Sequence, residues 1–300
     1  MPNSFGHRLG EAFAKYGQLC VGVDPHAALL EDWGLADDVR GLETFAKTVV
    51  QAAAGRVGII KPQVSFFERF GSRGFAVLEE LGQQAQEAGL LVIMDAKRGD
   101  IGSTMEAYFE AWLGKSAPFH SDALTVSPYL GLGSLKPTMA AAFERGKGVF
   151  VLSATSNPEG AALQTAQVPG PTSIDDAGNT VQGDNLTVAA AIWGGLEQIN
   201  AVTAGPGELL GSAGAVLGAT LNLNKFGMGS VTSVPQAVQT PILAPGFGAQ
   251  GARLADTGRL FGAAAGQVIA SVSRSVLGAG ADGLIEAIET AKAELAEGLI

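Results

Sequence analysis

A single cysteine, Cys20, stands among the 300 residues of this chain, so no intrachain disulfide can form and nothing points to an oxidising compartment. Beside Val21 and Val23 it reads as a buried strand residue, packed as a small hydrophobe. Basic residues are also scarce. Lys and Arg number 19 against 29 Asp and Glu, a formal net charge of −10, which excludes a broad basic face for nucleic-acid phosphates or anionic lipid. Any anionic ligand must therefore be held by a local cluster. Long uninterrupted hydrophobic runs are missing as well. The stretches Leu209 to Asn224 and Phe226 to Ala252 carry no charge, but Gly, Pro, Ser, Thr and Gln break them too often for a membrane span. Met1 to Gly10 offers no continuous apolar segment to serve as a signal peptide, so a cytoplasmic location is expected. The 3 histidines, His7, His26 and His120, lack the spacing of a zinc site or a partnered nucleophile. Surface or structural roles are expected of them.

What is present is apolar material in a regular rhythm. Hydrophobic residues make up 47% of the chain, enough to close a large core. Short runs rich in Val, Ile and Leu occur at Leu19–Asp24, Val57–Lys61, Leu90–Asp95, Ala123–Ser127, Val149–Ala154, Ala215–Thr220, Ile242–Gly246 and Val268–Val272. Between them lie segments such as Leu42–Ala54, Phe75–Ala88, Ser103–Leu113 and Leu135–Arg145, whose apolar residues recur at three- and four-residue spacing, the pattern of an amphipathic helix. Strand–helix alternation implies parallel strands joined by crossovers, and near-continuous apolar strands imply burial on both faces. Eight such units in a chain of this length predict a (β/α)8 barrel, with an open doubly wound sheet as the alternative. Against that alternative, Val21-Gly-Val-Asp-Pro lacks the Gly-rich phosphate turn that such sheets carry after the first strand. No compositional shift or internal repeat divides the chain, so residues 1–300 read as one domain. Pro158 to Asp184 breaks the rhythm with Gly, Pro, Thr, Asp and Asn and is longer than an ordinary connection. It is expected to be a loop insertion, either a lid over the barrel mouth or a tolerated surface addition.

Charged and polar residues gather at the ends of these strands. Asp95-Ala-Lys97-Arg-Gly-Asp100 follows the third, and residues two apart on a strand share a side. If the chain stays extended there, Asp95 and Lys97 project together from the C-terminal end, where barrel enzymes keep their chemistry. Asp24 ends the first strand, Lys61 the second and Ser127 the fourth, while Arg274 follows the eighth. A lysine in an apolar strand needs a partner, and Asp95 is the natural one for Lys61. For Arg98 a structural ion pair is expected. In such an array each ammonium lowers the pKa of its carboxylate neighbours, each carboxylate raises that of the lysines, and the set titrates as a unit. A lysine held charged is a proton donor of fixed position, and a neighbouring carboxylate repels an anionic group on a substrate. The second signal is Pro245-Gly246-Phe-Gly248-Ala-Gln250-Gly251 after the seventh strand, together with Ser273-Arg274-Ser275. Glycines let backbone N–H groups approach an anion, and the loops after strands seven and eight are the habitual phosphate site of this barrel.

With these residues in view, the sequence resembles the orotidine 5′-phosphate decarboxylases. Asp95-x-Lys97-x-x-Asp100-Ile101, with Thr104 beyond it, is similar to that family's signature. Asp24 and Lys61 match its strand-one aspartate and strand-two lysine, Thr155-Ser156-Asn157-Pro158 its pyrimidine-reading turn, and Gly246-x-Gly248-x-Gln250-Gly251 with Arg274 its phosphate grip. The motifs span residues 24 to 274, and the chain length and Ser-Asn turn resemble a branch found in many bacteria, including mycobacteria. The resemblance implies conversion of orotidine 5′-phosphate to UMP without metal or organic cofactor. Lys97 would protonate carbon six of the pyrimidine as carbon dioxide leaves, Asp95 would crowd the substrate carboxylate, and Lys61 would hold Asp95 and a ribose hydroxyl. Asp100, with Ile101 and Thr104, would serve the site of a partner subunit in a homodimer. Asp24 would bind ribose, Ser156 the base, and Gln250 and Arg274 the phosphate. Two places depart from the family pattern: Ser273 stands where Gly usually precedes the arginine, and Leu221–Val234 lacks the acidic turn expected after the sixth strand.

Three rival readings remain open. A metal-dependent aldolase or decarboxylase of sugar phosphates carries a similar Asp-x-Lys-x-x-Asp motif, but it uses an acidic metal ligand at the end of strand two, where this chain has Lys61. A Schiff-base aldolase through Lys97 would need a neutral amine, which the flanking carboxylates disfavour. A non-catalytic nucleotide-binding protein could reuse the same scaffold.

Overall fold

The computed structural model of the protein describes residues 3–174, 180–233 and 237–299. Leu19–Val23, Ile59–Pro62, Leu91–Arg98, Ala123–Val126, Gly148–Ala154, Ala213–Leu217, Ile242–Pro245 and Val268–Val272 form, among the described residues, a closed barrel in which each strand lies between its sequence neighbours. Every pairing is parallel, and the barrel closes where Leu19 sits beside Ala270. All eight runs expected from the sequence are strands, each bound within three residues of the expected one, and the open sheet is set aside. The expected helices are present as Val39–Ala53, Ser72–Glu87, Gly102–Leu113 and Leu132–Glu144, with Val188–Thr203 and Gly280–Gly298 completing the outer ring on the described part of the chain.

The two faces of each strand serve different cores. Leu19, Val21, Ile60, Val92, Met94 and Leu124 belong to the large outer core beneath the helices, which includes Phe45, Val49, Leu78, Leu81 and Leu284. The alternate residues Cys20, Ile59, Leu91, Ile93, Ala123, Phe150, Val216, Leu243 and Ile269 meet inside the barrel. That inner core is stoppered by the helix Phe5–Tyr16, whose buried Phe5 and Leu9 join it. Phe5 meets Phe150 edge-on at 5.8 Å between ring centroids. Each of these side chains gains about 1.5–3 kcal/mol on burial. The apolar stopper leaves the inner face of the barrel polar only toward its C-terminal end. Continuing each strand by its two-residue period, Cys20 leads to Gly22 and Asp24, Ile59 to Lys61 and Gln63, Ile93 to Asp95 and Lys97, and Ala123 to Thr125. A Cβ on Gly22 would lie 2.9 Å from the Ser273 Cβ, so the smallest residue is required where strands one and eight crowd together.

Two regions differ from the sequence reading. Part of the insertion after the fifth strand is regular: a short helix at Gly160–Gln164 precedes two small antiparallel ribbons, Gln167–Val168 with Leu186–Thr187 and Thr172–Ile174 with Thr180–Gln182. Residues 175–179 of the expected loop lie outside the described residues. After the sixth strand, where the acidic turn of the family pattern is lacking, the chain forms 3-10 turns at Leu223–Phe226 and Gly229–Thr232, and Leu223 and Phe226 are buried. No helix among the described residues is long and apolar enough to cross a membrane.

Candidate active site

Asp95 lies at the centre of the polar end of the barrel. Its Oδ2 accepts a hydrogen bond from Lys61 Nζ at 2.9 Å, and its Oδ1 accepts one from Lys97 Nζ at 2.6 Å and another from Thr125 Oγ1 at 2.9 Å. The two ammonium groups differ in access: the Lys61 side chain is 7% exposed and that of Lys97 44%. Lys97 reaches this position through a local departure from extended geometry. The pairing of strands three and four slips between Met94 and Arg98, and Lys97 itself has φ of +49°, in the left-handed region that residues other than Gly, Asn and Asp seldom enter. Its N–H goes to Thr125 Oγ1 at 3.0 Å, and its Nζ also donates to Gln63 Oε1 at 3.3 Å. Arg98, the next residue, pairs with Glu68 at 3.0 Å and lies over the rings of Tyr108 and Trp112. The structural role expected of Arg98 is thus the one it has.

Burial alone would push the Asp95 carboxyl up, but the charges of Lys61 and Lys97 and their hydrogen bonds outweigh it and hold Asp95 well below the usual carboxylate range. Burial would likewise lower Lys61, yet the carboxylates of Asp95 and Asp24 and the bond to Asp95 keep it above the usual lysine range. A depressed acid contributes its full stabilisation above its usual value, 3.8, and loses it as pH falls through the lower folded value. A raised lysine contributes fully below its usual value, 10.5, and loses it as pH climbs past that value. Neither group therefore titrates between about pH 5 and 9. Urea unfolding of wild type and Lys61→Met across that interval is expected to show a constant difference in stability, shrinking only in stronger acid or in alkali above the usual lysine value of 10.5. A difference that varies steeply near neutrality would contradict this.

Lys61 also lines a cavity of about 510 Å³ whose wall includes Asp24, His26, Phe66, Gly246, Gln250, Ser273 and Arg274. Asp24 Oδ1 and Ser273 Oγ are buried there without a hydrogen-bond partner among the described residues, a condition that buried polar atoms rarely keep once a ligand can satisfy them. Ser273, the departure from the expected Gly, thus leaves the cavity open and adds a hydroxyl to its wall. No carboxylate among the described residues pairs with Arg274. The loop after the seventh strand needs its glycines. Gly246 has φ of +117° and Gly248 +73°, and a Cβ on Gly248 would lie 2.4 Å from Ser275 Oγ. Ser156, from the turn after the fifth strand, joins this loop through its hydroxyl, 3.3 Å from Gln250 Oε1. A separate cavity of about 490 Å³ lies behind the same loop against the last helix, lined by Arg253, Glu286 and Glu294 among others, and none of Asp95, Lys61 and Lys97 borders it.

The residues singled out from the sequence therefore fall into three groups. Lys61, Asp95 and Lys97 are in direct contact, and Asp24, Gly246, Gln250 and Arg274 share the cavity that Lys61 lines, with Ser156 and Gly248 attached to it. Asp100, Ile101 and Thr104 stand apart from both. Asp100 is half-buried and accepts the N–H of Ile101 at 2.8 Å, while Ile101 and Thr104 are exposed. Four residues were missed. His26 caps the helix Ala27–Asp32 with its Nδ1 and lines the cavity beside Phe66. Gln63 and Thr125 touch the charged trio, and the two-residue period that pairs Ile59 with Lys61 would have found both.

The model of the orotidine 5′-phosphate decarboxylase / HUMPS family matches residues 17–287. The chain belongs to that family. A Streptomyces coelicolor orotidine 5′-phosphate decarboxylase is 54% identical over 287 residues, covering 96% of this chain and 94% of that protein. Among solved structures, a Streptomyces avermitilis protein described as an orotidine 5′-phosphate decarboxylase has a TM-score of 0.85 at 49% identity, over 99% of this chain and 96% of that one. An orotidine monophosphate decarboxylase from Leishmania donovani aligns with a TM-score of 0.65 at 28% identity, over 96% and 98%. Membership of the decarboxylase family agrees with the resemblance drawn from Asp95, Lys97 and Asp100 and does not favour a metal-dependent sugar-phosphate enzyme.

Proposed function

We propose that this protein converts orotidine 5′-phosphate to UMP and carbon dioxide. The observation that carries the reading is the Lys61–Asp95–Lys97 contact beside a cavity lined by Arg274, in a chain whose residues 17–287 match this family. The phosphate lies against Arg274, Gln250 and the backbone of Gly246 and Gly248, where the loop can present N–H groups to an anion. Asp24, whose buried Oδ1 has no hydrogen-bond partner among the described residues, takes a ribose hydroxyl, and Ser156 takes the base. This places the substrate carboxylate near Asp95, which cannot relieve the repulsion by protonating because two ammonium groups hold it ionised. The bond from carbon six to the carboxyl carbon breaks, carbon dioxide departs, and the electron pair stays on carbon six. Lys97, the more exposed ammonium, gives that carbon its proton and regains one from solvent. Purified protein incubated with orotidine 5′-phosphate and excess chelator is expected to yield UMP and carbon dioxide one for one. Tight UMP binding without turnover would instead support a nucleotide-binding protein.

The second part of the proposal is a homodimer with shared sites. Among the described residues no hydrogen bond or ion pair joins Asp100, Ile101 or Thr104 to the charged trio of their own chain, and Ile101, Tyr129 and Leu130, on the loops after the neighbouring third and fourth strands, are 59%, 77% and 53% exposed. A second copy covering these apolar side chains would bring its Asp100 to the trio. Mixing inactive Lys97→Ala and Asp100→Ala proteins is expected to restore up to about a quarter of wild-type activity, the share of intact sites in a random mixture of symmetric dimers. No recovery after verified subunit exchange would contradict sharing.

A further inference from the structure

Among the described residues, Thr125 is the one uncharged side chain that hydrogen-bonds to both Asp95 and Lys97. It is fully buried on the fourth strand, one period above the inward-facing Ala123. Its Oγ1 accepts the Lys97 N–H at 3.0 Å and donates to Asp95 Oδ1 at 2.9 Å. Because a hydroxyl carries one proton, these two bonds fix its direction: the Lys97 N–H occupies an acceptor lone pair, and the proton goes to the carboxylate. The bond to Lys97 falls within the slip in strand pairing between Met94 and Arg98, at a residue with φ of +49°. A strained turn of this kind persists where its surroundings over-determine it, and Thr125 is the side chain that holds both its backbone and its carboxylate.

We propose that Thr125 is a positioning residue for decarboxylation: its hydroxyl holds the Lys97 backbone in the left-handed turn and locks the Asp95 carboxylate, setting where the Lys97 ammonium stands relative to it. This rests on the roles given above to Asp95 and Lys97. Valine at this position keeps the branched shape and the burial but leaves the Lys97 N–H unpaired and Asp95 Oδ1 one donor short. Serine keeps both bonds.

The test compares wild type, Thr125→Val, Thr125→Ala, Thr125→Ser and Lys97→Ala in steady-state turnover of orotidine 5′-phosphate, with UMP affinity and thermal unfolding measured on each. Thr125→Val is expected to lose roughly 10- to 100-fold in kcat, the effect of one hydrogen bond to a charged group. Its KM and UMP affinity should stay within about threefold, since binding is made elsewhere. Thr125→Ser should recover most of the rate. Thr125→Ala serves as the hydroxyl-free variant should the valine protein fail to fold. A merely structural role would lower the melting temperature while leaving kcat of the folded protein intact. That result, or a serine variant as impaired as the valine one, overturns the proposal. If Lys97→Ala is inactive while the hydroxyl-free variants turn over normally, only the role of Thr125 fails. If Lys97→Ala is itself fully active, the reading of the site beneath it has failed.

Discussion

Replacing Lys97 by alanine is expected to lower kcat for orotidine 5′-phosphate by at least about a thousandfold, within the range that a positioned proton donor supplies. UMP should still bind, because Asp24, Gln250 and Arg274, assigned to ribose and phosphate, follow strands one, seven and eight, remote in sequence from this lysine. The size of the loss follows from the lack of a substitute. The other ammonium of the trio, Lys61, is bonded to Asp95 Oδ2 at 2.9 Å and almost closed to solvent, so it stands on the far side of the carboxylate from the more open Lys97. Arg98 is committed to Glu68. Removing Lys97 also leaves Asp95 with less positive charge beside it, which weakens the device that keeps the carboxylate ionised against an incoming substrate anion. Steady-state kinetics with calorimetry of UMP binding check the prediction. A variant with near-normal turnover would remove Lys97 from the chemistry.

Lys61→Met is expected to damage the fold as well as the rate. Asp95 and Lys61 form a buried pair, and deleting one partner of such a pair strands the other charge. We expect a loss of about 3 kcal/mol, the lower end of the range for broken buried pairs, because Lys97 and Thr125 still serve Asp95 Oδ1. Against a total stability of roughly 5–15 kcal/mol for a folded protein, that loss should visibly shift the midpoint of urea unfolding. Asp24 also loses its nearby ammonium, so ribose binding and turnover should fall together. A midpoint unchanged within error would mean that the pair is better solvated than its burial implies, and the electrostatic account of Asp95 would need revision.

The parts of this molecule that were legible in its sequence are those where composition and position act together. Val57-Gly-Ile-Ile ahead of Lys61 and Leu90 to Met94 ahead of Asp95 read as strands because both faces are covered, and a charge after such a run has few places to go except the barrel mouth. Lys61 and Asp95 could therefore be paired before any coordinates. The loop with Gln250 and Arg274 pointed to phosphate by its place after strands seven and eight, but Asp24 and Ser156 were less transparent. Aspartate before proline or serine in a turn is common for local reasons, and only the family resemblance assigned them a ligand. Thr125 was passed over because a threonine in a strand needs no explanation beyond its β-branched shape. Only its period-two relation to Ala123 marks it. The left-handed turn at Lys97 had no signal, since lysine carries no preference for that conformation. The ribbons at Gln167–Val168 and Thr172–Ile174 are two and three residues long, too short to show a period, and their Gly, Pro and Thr content reads as loop. The stretch after the sixth strand has apolar residues without helical spacing, and a 3-10 turn buries Leu223 and Phe226 there.

The central claim is that the protein stabilises a carbanion at carbon six beside Asp95 and that Lys97 is the acid that quenches it. The most direct measurement is exchange of the carbon-six hydrogen of UMP for deuterium in heavy water, followed by proton NMR with wild type and Lys97→Ala at saturating UMP. The account predicts enzyme-dependent exchange by wild type and none above the solvent background for the variant, with UMP bound in both. Exchange at the wild-type rate by Lys97→Ala would contradict it.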